Sequence, residues 1–522
     1  MTAVPHHPSP STEPGPPPPP PSALAETLGA SRPFLVGIGG AGMSPLAHLL
    51  AAEGMTVRGS DQQPGPSADA LRAASIPVCP DQDAAALPDD ADAVIASAAI
   101  RPDHPQLLEA QRRGLPVLSY AEALGKCQAV RTALCVAGTH GKSTTAAMLG
   151  CCLTDAGLDP TAIVGANCAQ LARGALAPAS PTHAGARLGA ASIPAGPRSG
   201  EPGLLIAESC EFNRSFHQHR PAIASIANVE ADHLDIYGSL DAVIEAFAEF
   251  ARLIPPESEG GRLLIGHDGA HRREIAAGLD CRAETIGYAP AADWRVGYDE
   301  HARRATLEGP DGAGAQWTLG MPGEHNAINS AVAAALAIIA GADPETVGRS
   351  LSAFRGVERR LERLGERPCP GGGAVTVYDD YGHHPTEIDA TLRALRGFEQ
   401  PEQRGGRLVV VFQPHQHSRT RFLLEEFATS FEQADTVIVP HIYFVRDSEA
   451  EKHKVSSADL VDRLRARGVC AMHVYPFDAI VEHLEILCRP GDVLVVMGAG
   501  PVWQIARGFL NNHPDNQRAD RP

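Results

Sequence analysis

The chain has 522 residues, 43% of them hydrophobic and 20% charged, so it exceeds one ordinary core and is expected to form about three domains. Its 44 Lys and Arg against 62 Asp and Glu leave a net charge of −18, which argues against a nucleic-acid or anionic-membrane surface. No apolar run is long enough for a spanning helix, the N-terminus lacks the blocks of a secretory signal, and the 11 cysteines form no C-x-x-C pair, a usage that fits reduced, mostly buried thiols in a cytoplasmic protein.

Residues 1–32 read as a disordered tail, with the proline run at 16–21 extended and unable to bury a core. A first unit, 33–128, opens with a short buried-type strand at 33–36 and the turn G-I-G-G-A-G-M-S, which carries Gly37, Gly39, Gly40 and Gly42 ahead of a helix through residue 52. Asp61 follows just past a strand at 56–58. That spacing suits a diphosphate over a helix N-terminus and a carboxylate for a ribose hydroxyl, which a nicotinamide cofactor and a UDP-sugar satisfy equally; a purely structural glycine turn is the alternative. Strands at 93–97 and 116–118, with a helix at 106–113 between them, complete a parallel α/β pattern.

A second unit, 129–352, opens with T-A-L-C-V-A-G-T-H-G-K-S-T-T: an apolar strand, a glycine-bracketed turn, then Lys142, Ser143 and a small-residue helix. Such a turn aims successive N–H groups at one point, where Lys142 would reach terminal phosphates and Ser143 would hold Mg²⁺. The spacing departs from the usual phosphate loop, because Val136 stands where the first glycine is expected and Gly138 is the near upstream glycine. Residues 173–203, crowded with Ala, Pro, Gly and Ser, read as a mobile surface insertion. The strand at 204–207 then ends in Glu208, where an α/β nucleotide site wants a metal ligand or water-orienting group. After a strand at 222–226, His233 sits between Asp232 and Asp235, able to bind a second metal or a phosphate, or else to cap a helix or lie buried and hydrogen-bonded. Asn326 and Asn329, three apart at the start of an Ala-rich helix, could read one base edge with two amides, or serve as caps.

The third unit, 353–515, follows a linker whose arginines could meet a γ-phosphate. A strand at 374–378 runs into D-D-Y-G-H-H-P-T-E, residues 379–387, and a strand at 408–412 into Q-P-H-Q-H-S-R-T-R, with Arg419 and Arg421 suited to carboxylate or phosphate. Strands at 436–439 and 493–497 continue the parallel pattern. The fold class is therefore α/β in three domains: an N-terminal Rossmann-like unit, a central P-loop ATPase-type unit with a mostly parallel sheet, and a C-terminal Rossmann-like unit.

With G-T-H-G-K-S-T-T, G-I-G-G-A-G-M-S, D-D-Y-G-H-H-P-T-E and F-Q-P-H in this order, the chain from about residue 33 to 510 resembles the Mur ligases, cytoplasmic ATP-dependent enzymes that build the peptide stem of peptidoglycan. Within the family it is most similar to the branch that joins L-alanine to UDP-N-acetylmuramate; the neighbouring branch attaches a whole recycled tripeptide. The resemblance implies ATP and Mg²⁺, two ions, as cofactors. It implies an ATP loop of Gly138, Thr139, His140, Gly141, Lys142, Ser143 and Thr144, with Ser143 and Glu208 on the first ion and His233 on the second. Asn326 and Asn329 would face adenine, Arg360 and Asp380 the nucleotide's phosphates and ribose, and His383 and Arg419 the amino acid, with His383 a base or an orienting group. Gly37, Gly39, Gly40, Gly42 and Asp61 would hold the UDP group. Two departures stand out. Cys210 and Asn213 replace two aspartates of the family's acidic stretch, and Gln416 replaces an arginine near the amino-acid site, so glycine or serine could stand in for L-alanine. A nicotinamide oxidoreductase is a more distant alternative that leaves Lys142, Asn326 and Asn329 idle, and a non-catalytic nucleotide-binding protein leaves Glu208 and His233 idle.

Overall fold

The computed structural model describes residues 22–62, 66–177, 184–445 and 447–511, so residues 1–21 of the expected tail lie outside the described residues. The first sheet comprises β1 (Pro33–Val36), β2 (Arg58–Ser60), β3 (Val78–Cys79), β4 (Ala93–Ala96) and β5 (Val117–Ser119), in the order β3-β2-β1-β4-β5. All its pairings are parallel, and the order reverses at β1, so the loop after β1 opens at a topological switch point.

The central sheet contains β6 (Thr132–Ala137), β7 (Thr161–Cys168), β8 (Ala184–Arg187), β9 (Leu204–Ser209), β10 (Ile223–Ile226), β11 (Arg262–Gly266), β12 (Arg282–Gly287), β13 (Trp294–Asp299), β14 (Arg304–Glu308) and β15 (Gly314–Thr318). Its order is β15-β14-β13-β12-β11-β10-β6-β9-β7-β8, parallel from β13 to β7 and antiparallel at both edges. Every residue of β6 is buried, as a strand covered on both faces must be, and its sequence is accordingly apolar after Thr132. The helix Lys142–Asp155 is buried nearly all round; its Ala146, Ala147 and Gly150 leave room for close packing, and the Ala-rich helix Glu324–Ile339 shares its core.

The third sheet is built from β16 (Glu362–Pro368), β17 (Ala374–Asp380), β18 (Leu408–Phe412), β19 (Thr436–Val439), β20 (Cys470–His473) and β21 (Val493–Met497), ordered β16-β17-β21-β18-β19-β20. Only β16 runs antiparallel, and the valine-rich β18 and β21 are wholly buried at the centre. Two apolar clusters, drawn from residues 361–509 among those described, cover its faces. The first sheet differs: its cluster of Leu24, Leu35, Leu46 and Leu124 also takes in Ile163, Leu205 and Ala207 from the central sheet.

Three expectations need correction. Residues 22–28 are not tail: Ser22 caps a helix Ala23–Leu28 by accepting from Ala25 N–H, and Leu24, Ala25 and Leu28 are buried in the first domain's core. The described part of the insertion, residues 173–177 and 184–203, supplies the edge strand β8, paired antiparallel with β7, and buries Ile193 in the central core; residues 178–183 lie outside the described residues. Asp379 and Asp380 belong to the end of β17 rather than to the loop beyond it. The 11 cysteines form no disulfide, and no helix among the described residues is long and apolar enough to cross a membrane.

Candidate active site

The turn after β6 is shaped by two glycines with left-handed backbone, Gly138 at φ +140° and Gly141 at φ +80°. Gly141 has a second reason to lack a side chain, since a Cβ there would stand 2.2 Å from Asn329 Oδ1. Asn228, at the end of β10, holds the turn from the side: its carbonyl accepts from Thr139 N–H at 3.0 Å and its Oδ1 from His140 N–H at 2.8 Å. This neighbouring-strand support stands in for the missing upstream glycine. Lys142 Nζ donates to the carbonyls of Gly138 (2.6 Å) and Thr139 (2.9 Å) and to Glu211 Oε2 (2.9 Å). Ser143 Oγ donates to Glu208 Oε2 at 3.0 Å, and Gly165 N–H to Glu208 Oε1 at 2.5 Å. Burial raises the Glu208 carboxyl above its ordinary range, against the pull of the Gly165 N–H and the Arg360 charge. Thr144 is buried behind the loop.

A second carboxylate group lies beside Lys142. Glu211, Asp232 and His233 place ligand atoms within 4.8 Å of one another. His233, at φ +53°, occupies the cap position of the short helix Leu234–Tyr237 but makes no side-chain cap bond; its Nε2 lies 3.7 Å from Asp232 Oδ2. The capping alternative for His233 therefore falls. The same holds for the two asparagines, because Gly323 is the cap of the helix Glu324–Ile339, while Asn326 Nδ2 donates to the Pro322 carbonyl at 2.8 Å.

Asn326 and Asn329 line a cavity of about 180 Å³ together with His140, Arg360, Asp380 and Glu387. Both Asp380 oxygens are engaged, accepting from Leu361 N–H and Gly382 N–H at 2.6 Å, and burial lifts its carboxyl to about 6 despite Arg360. On the other side of the loop a cleft of about 990 Å³ runs from Gly39 and His48 of the first domain to Ser143 and Glu208, with Arg359 and Arg360 on its far wall. The glycine turn at its mouth is tightly specified: Gly37 has φ +77°, a Cβ on Gly39 would stand 2.8 Å from Asp61 Oδ2, and a Cβ on Gly42 would stand 2.8 Å from the Tyr120 ring. Gly40 carries no such constraint under 3.3 Å. Asp61, expected at a ribose hydroxyl, commits one oxygen to the Gly39 N–H at 2.8 Å and so braces the turn itself.

The third domain brings His383 and Arg419 to the same region. His383 Nδ1 donates to the Tyr381 carbonyl at 3.2 Å, and burial, helped by Arg419, lowers its pKa to about 4. Arg419 reaches across to the central domain, where its Nη2 and Nε donate to Asp232 Oδ1 at 2.9 and 3.1 Å, with both side chains over nine-tenths buried. Gln416 is buried at φ +68°, its Nε2 without a hydrogen-bond partner. Cys210 is exposed beside Glu211, and Asn213 sits in a left-handed turn with Arg214. The roles of Glu211, Glu230, Asp232 and Glu387 are not apparent from the motifs alone; the available signal is their placement beside the loop lysine and histidines at strand ends.

Three profiles of one family cover most of the chain: the Mur ligase family catalytic domain at residues 35–131, the Mur ligase middle domain at 136–337, and the Mur ligase glutamate ligase domain at 359–500. The chain belongs to the Mur ligase family. Among its relatives is the UDP-N-acetylmuramate–L-alanine ligase of Desulfitobacterium hafniense, 35% identical over 480 residues, which span 91% of this chain and 98% of that protein. The crystal structure of UDP-N-acetylmuramate-alanine ligase from Thermotoga maritima matches with a TM-score of 0.69 at 23% identity, covering 94% of this chain and all of that one. That of a murein peptide ligase from Psychrobacter arcticus matches at 0.67 and 24%, covering 92% and 98%. At those identities the two structures speak for the fold alone, and they speak for it almost equally.

Proposed function

We propose that this protein joins L-alanine to the lactyl carboxylate of UDP-N-acetylmuramate at the expense of ATP, in peptidoglycan precursor synthesis. The observation that carries the reading is the meeting of two sites at the phosphate loop. The 990 Å³ cleft from the Gly39 turn ends at Ser143 and Glu208, and the 180 Å³ cavity of Asn326 and Asn329 abuts the same loop at His140, Gly141 and Thr144. A UDP-sugar laid along the first would bring its carboxylate to a nucleotide's terminal phosphate held in the second. The carboxylate takes the γ-phosphoryl group of ATP with ADP as leaving group, and the acyl phosphate is then attacked at carbon by the amine, which has given up its ammonium proton to solvent, with expulsion of inorganic phosphate.

In that reaction Lys142, charged and close to the loop carbonyls, neutralises charge developing on the transferring phosphoryl oxygens. The oxygen donors Ser143 and Glu208 fit Mg²⁺, and the Glu211 and Asp232 carboxylates with the His233 imidazole make a second, mixed oxygen and nitrogen donor set; the ion would screen phosphate charge there. Arg360, on both the cleft and the cavity, suits phosphate or the incoming carboxylate. With Nδ1 donating to Tyr381, His383 offers Nε2 as an acceptor; at about 4 it is too weak a base to take the ammonium proton outright, so it orients the amine. The spans 33–128, 129–352 and 353–515 serve as the UDP-substrate, ATP and amino-acid domains.

The test is phosphate release from ATP with UDP-N-acetylmuramate and Mg²⁺, comparing no amino acid, L-alanine, glycine, L-serine and L-Ala-γ-D-Glu-diaminopimelate. Release that requires the UDP-sugar and L-alanine is expected. Release with the tripeptide alone moves the chain to the recycling branch, and silence in every arm removes the ligase reading.

A further inference from the structure

His140 belongs to the phosphate loop by sequence and lines the nucleotide cavity, and its ring nitrogens face two carboxylates, one of the third domain and one of the central domain. Nδ1 lies 3.3 Å from Glu387 Oε1, in the first turn of the helix Pro385–Glu399, and Nε2 lies 3.4 Å from Glu230 Oε2 of the central domain. Two further bonds close the same seam: Thr386 Oγ1 donates to Glu230 Oε2 at 2.6 Å, and His384 Nε2 donates to the Ala231 carbonyl at 3.2 Å. The His140 and His384 rings lie 4.7 Å apart. His140, Glu230 and His384 could be taken for a cation site, but both His384 nitrogens are already engaged, Nδ1 accepting from Thr386 N–H at 3.3 Å. The group is a hydrogen-bonded clasp.

We propose that His140 is a positioning residue for phosphoryl transfer: clasped between Glu230 and Glu387, it ties the geometry of the phosphate loop to the arrival of the third domain. This rests on the reading of residues 138–144 as the ATP loop. Each carboxylate has other donors, Thr386 Oγ1 on Glu230 and two backbone N–H groups on Glu387, and the two ring nitrogens can donate to both carboxylates at once only when the imidazole carries two protons. The charged groups facing it agree: burial pushes His140 down, Glu230 and Glu387 outweigh burial and lift it to about 9, while Glu230 is held at about 2 by the His140 hydrogen bond against burial. His384, the other titratable neighbour, is lowered by burial and by His140 itself, and its bonds, Nε2 donating and Nδ1 accepting, are those of a singly protonated ring. The loop end of this lever is rigid, because the His140 N–H is fixed by Asn228 Oδ1 and Lys142 follows two residues later. The far end is rigid too, since Glu387 Oε2 accepts from the N–H groups of His383 and His384, so a displaced third domain pulls on the loop histidine.

The experiment is a double-mutant cycle on the full chain with His140→Gln and Glu387→Gln, the latter retaining an oxygen for the helix cap. Read out are kcat for ligation and the Kd of a fluorescent ADP analogue. Because His140 and Glu387 also line the nucleotide cavity, each single substitution is expected to weaken binding of the analogue somewhat but to lower kcat by more, about tenfold, and the double to lower kcat no further than about twentyfold rather than the hundredfold of independent effects. A hundredfold loss in the double, or a loss carried in nucleotide Kd, overturns the proposal. If His140→Gln does not fold, Glu230→Gln takes its place in the cycle. Wild-type protein that binds no ADP analogue and releases no phosphate would sink the ATP reading instead, so the two failures are told apart.

Discussion

The substitution Asp232→Asn tests how the third domain is held against the second. Arg419 and Asp232 are 6% and 8% exposed, and the guanidinium makes two bonds to one carboxylate oxygen at 2.9 and 3.1 Å. Removing one partner of a buried pair typically costs about 3–5 kcal/mol, because the other charge is left dry and unpaired. The asparagine oxygen still accepts, so the lower end, about 3 kcal/mol, applies. The two residues lie in different domains, and Arg419 can escape by moving into water with its own domain intact. The penalty therefore falls on closure, roughly a hundredfold in the closing equilibrium, and leaves the melting of each domain nearly unchanged. Hydrogen–deuterium exchange of the segments 384–387 and 417–422, with kcat measured in parallel, reads this directly. Exchange in both segments should rise steeply and kcat should fall; exchange and kcat both within about threefold of wild type would refute the argument that this pair carries the contact.

Three other outcomes follow from the geometry. Gly42→Ala should raise KM for the UDP-sugar about tenfold while leaving KM for ATP alone, because the added methyl meets Tyr120 at the first domain's turn and nothing at the phosphate loop. Ser143→Ala removes the hydroxyl that bonds Glu208, and should raise the Mg²⁺ concentration for half-maximal rate about tenfold. His219 is 3% exposed, hydrogen-bonded to Ser209 Oγ at 2.8 Å, and lowered by burial from 6.5 to about 4. It is neutral in the fold and takes up a proton on unfolding, so its contribution is fully present above pH 6.5 and is lost as pH falls through 4. Wild type should lose about 3 kcal/mol more than His219→Asn across that interval, measured as denaturant midpoints.

The buried strands could be read from sequence almost to the residue where a valine-rich run is flanked by glycine or proline, as at β18, β19 and β21. Burial on both faces leaves such a segment no other composition. The six-residue helix Ala23–Leu28 could not, since one helical turn and a half beside a proline run shows too little periodicity. Candidate site residues were legible where they sat in a motif at or after a strand's end, as Lys142, Glu208 and His233 do. The pairs that join domains were not: His140 and Glu387 are 247 positions apart, and Asp232 and Arg419 are 187 apart. No local pattern links such residues; only the folded topology does. Gln416 is a further case, for its left-handed backbone and unpartnered amide are properties of position rather than of residue type.

The apolar cluster that the first domain shares with Ile163, Leu205 and Ala207 of the central sheet has a bearing on modularity. A fragment ending near residue 128 would expose one side of its own core to water, so the first unit is not a portable cassette. Grafting it onto a relative would require the matching face of β7 and β9 to travel with it. The third domain, whose clusters close on themselves, is the piece that evolution or an engineer could exchange, provided the polar partners at its seam are kept in step.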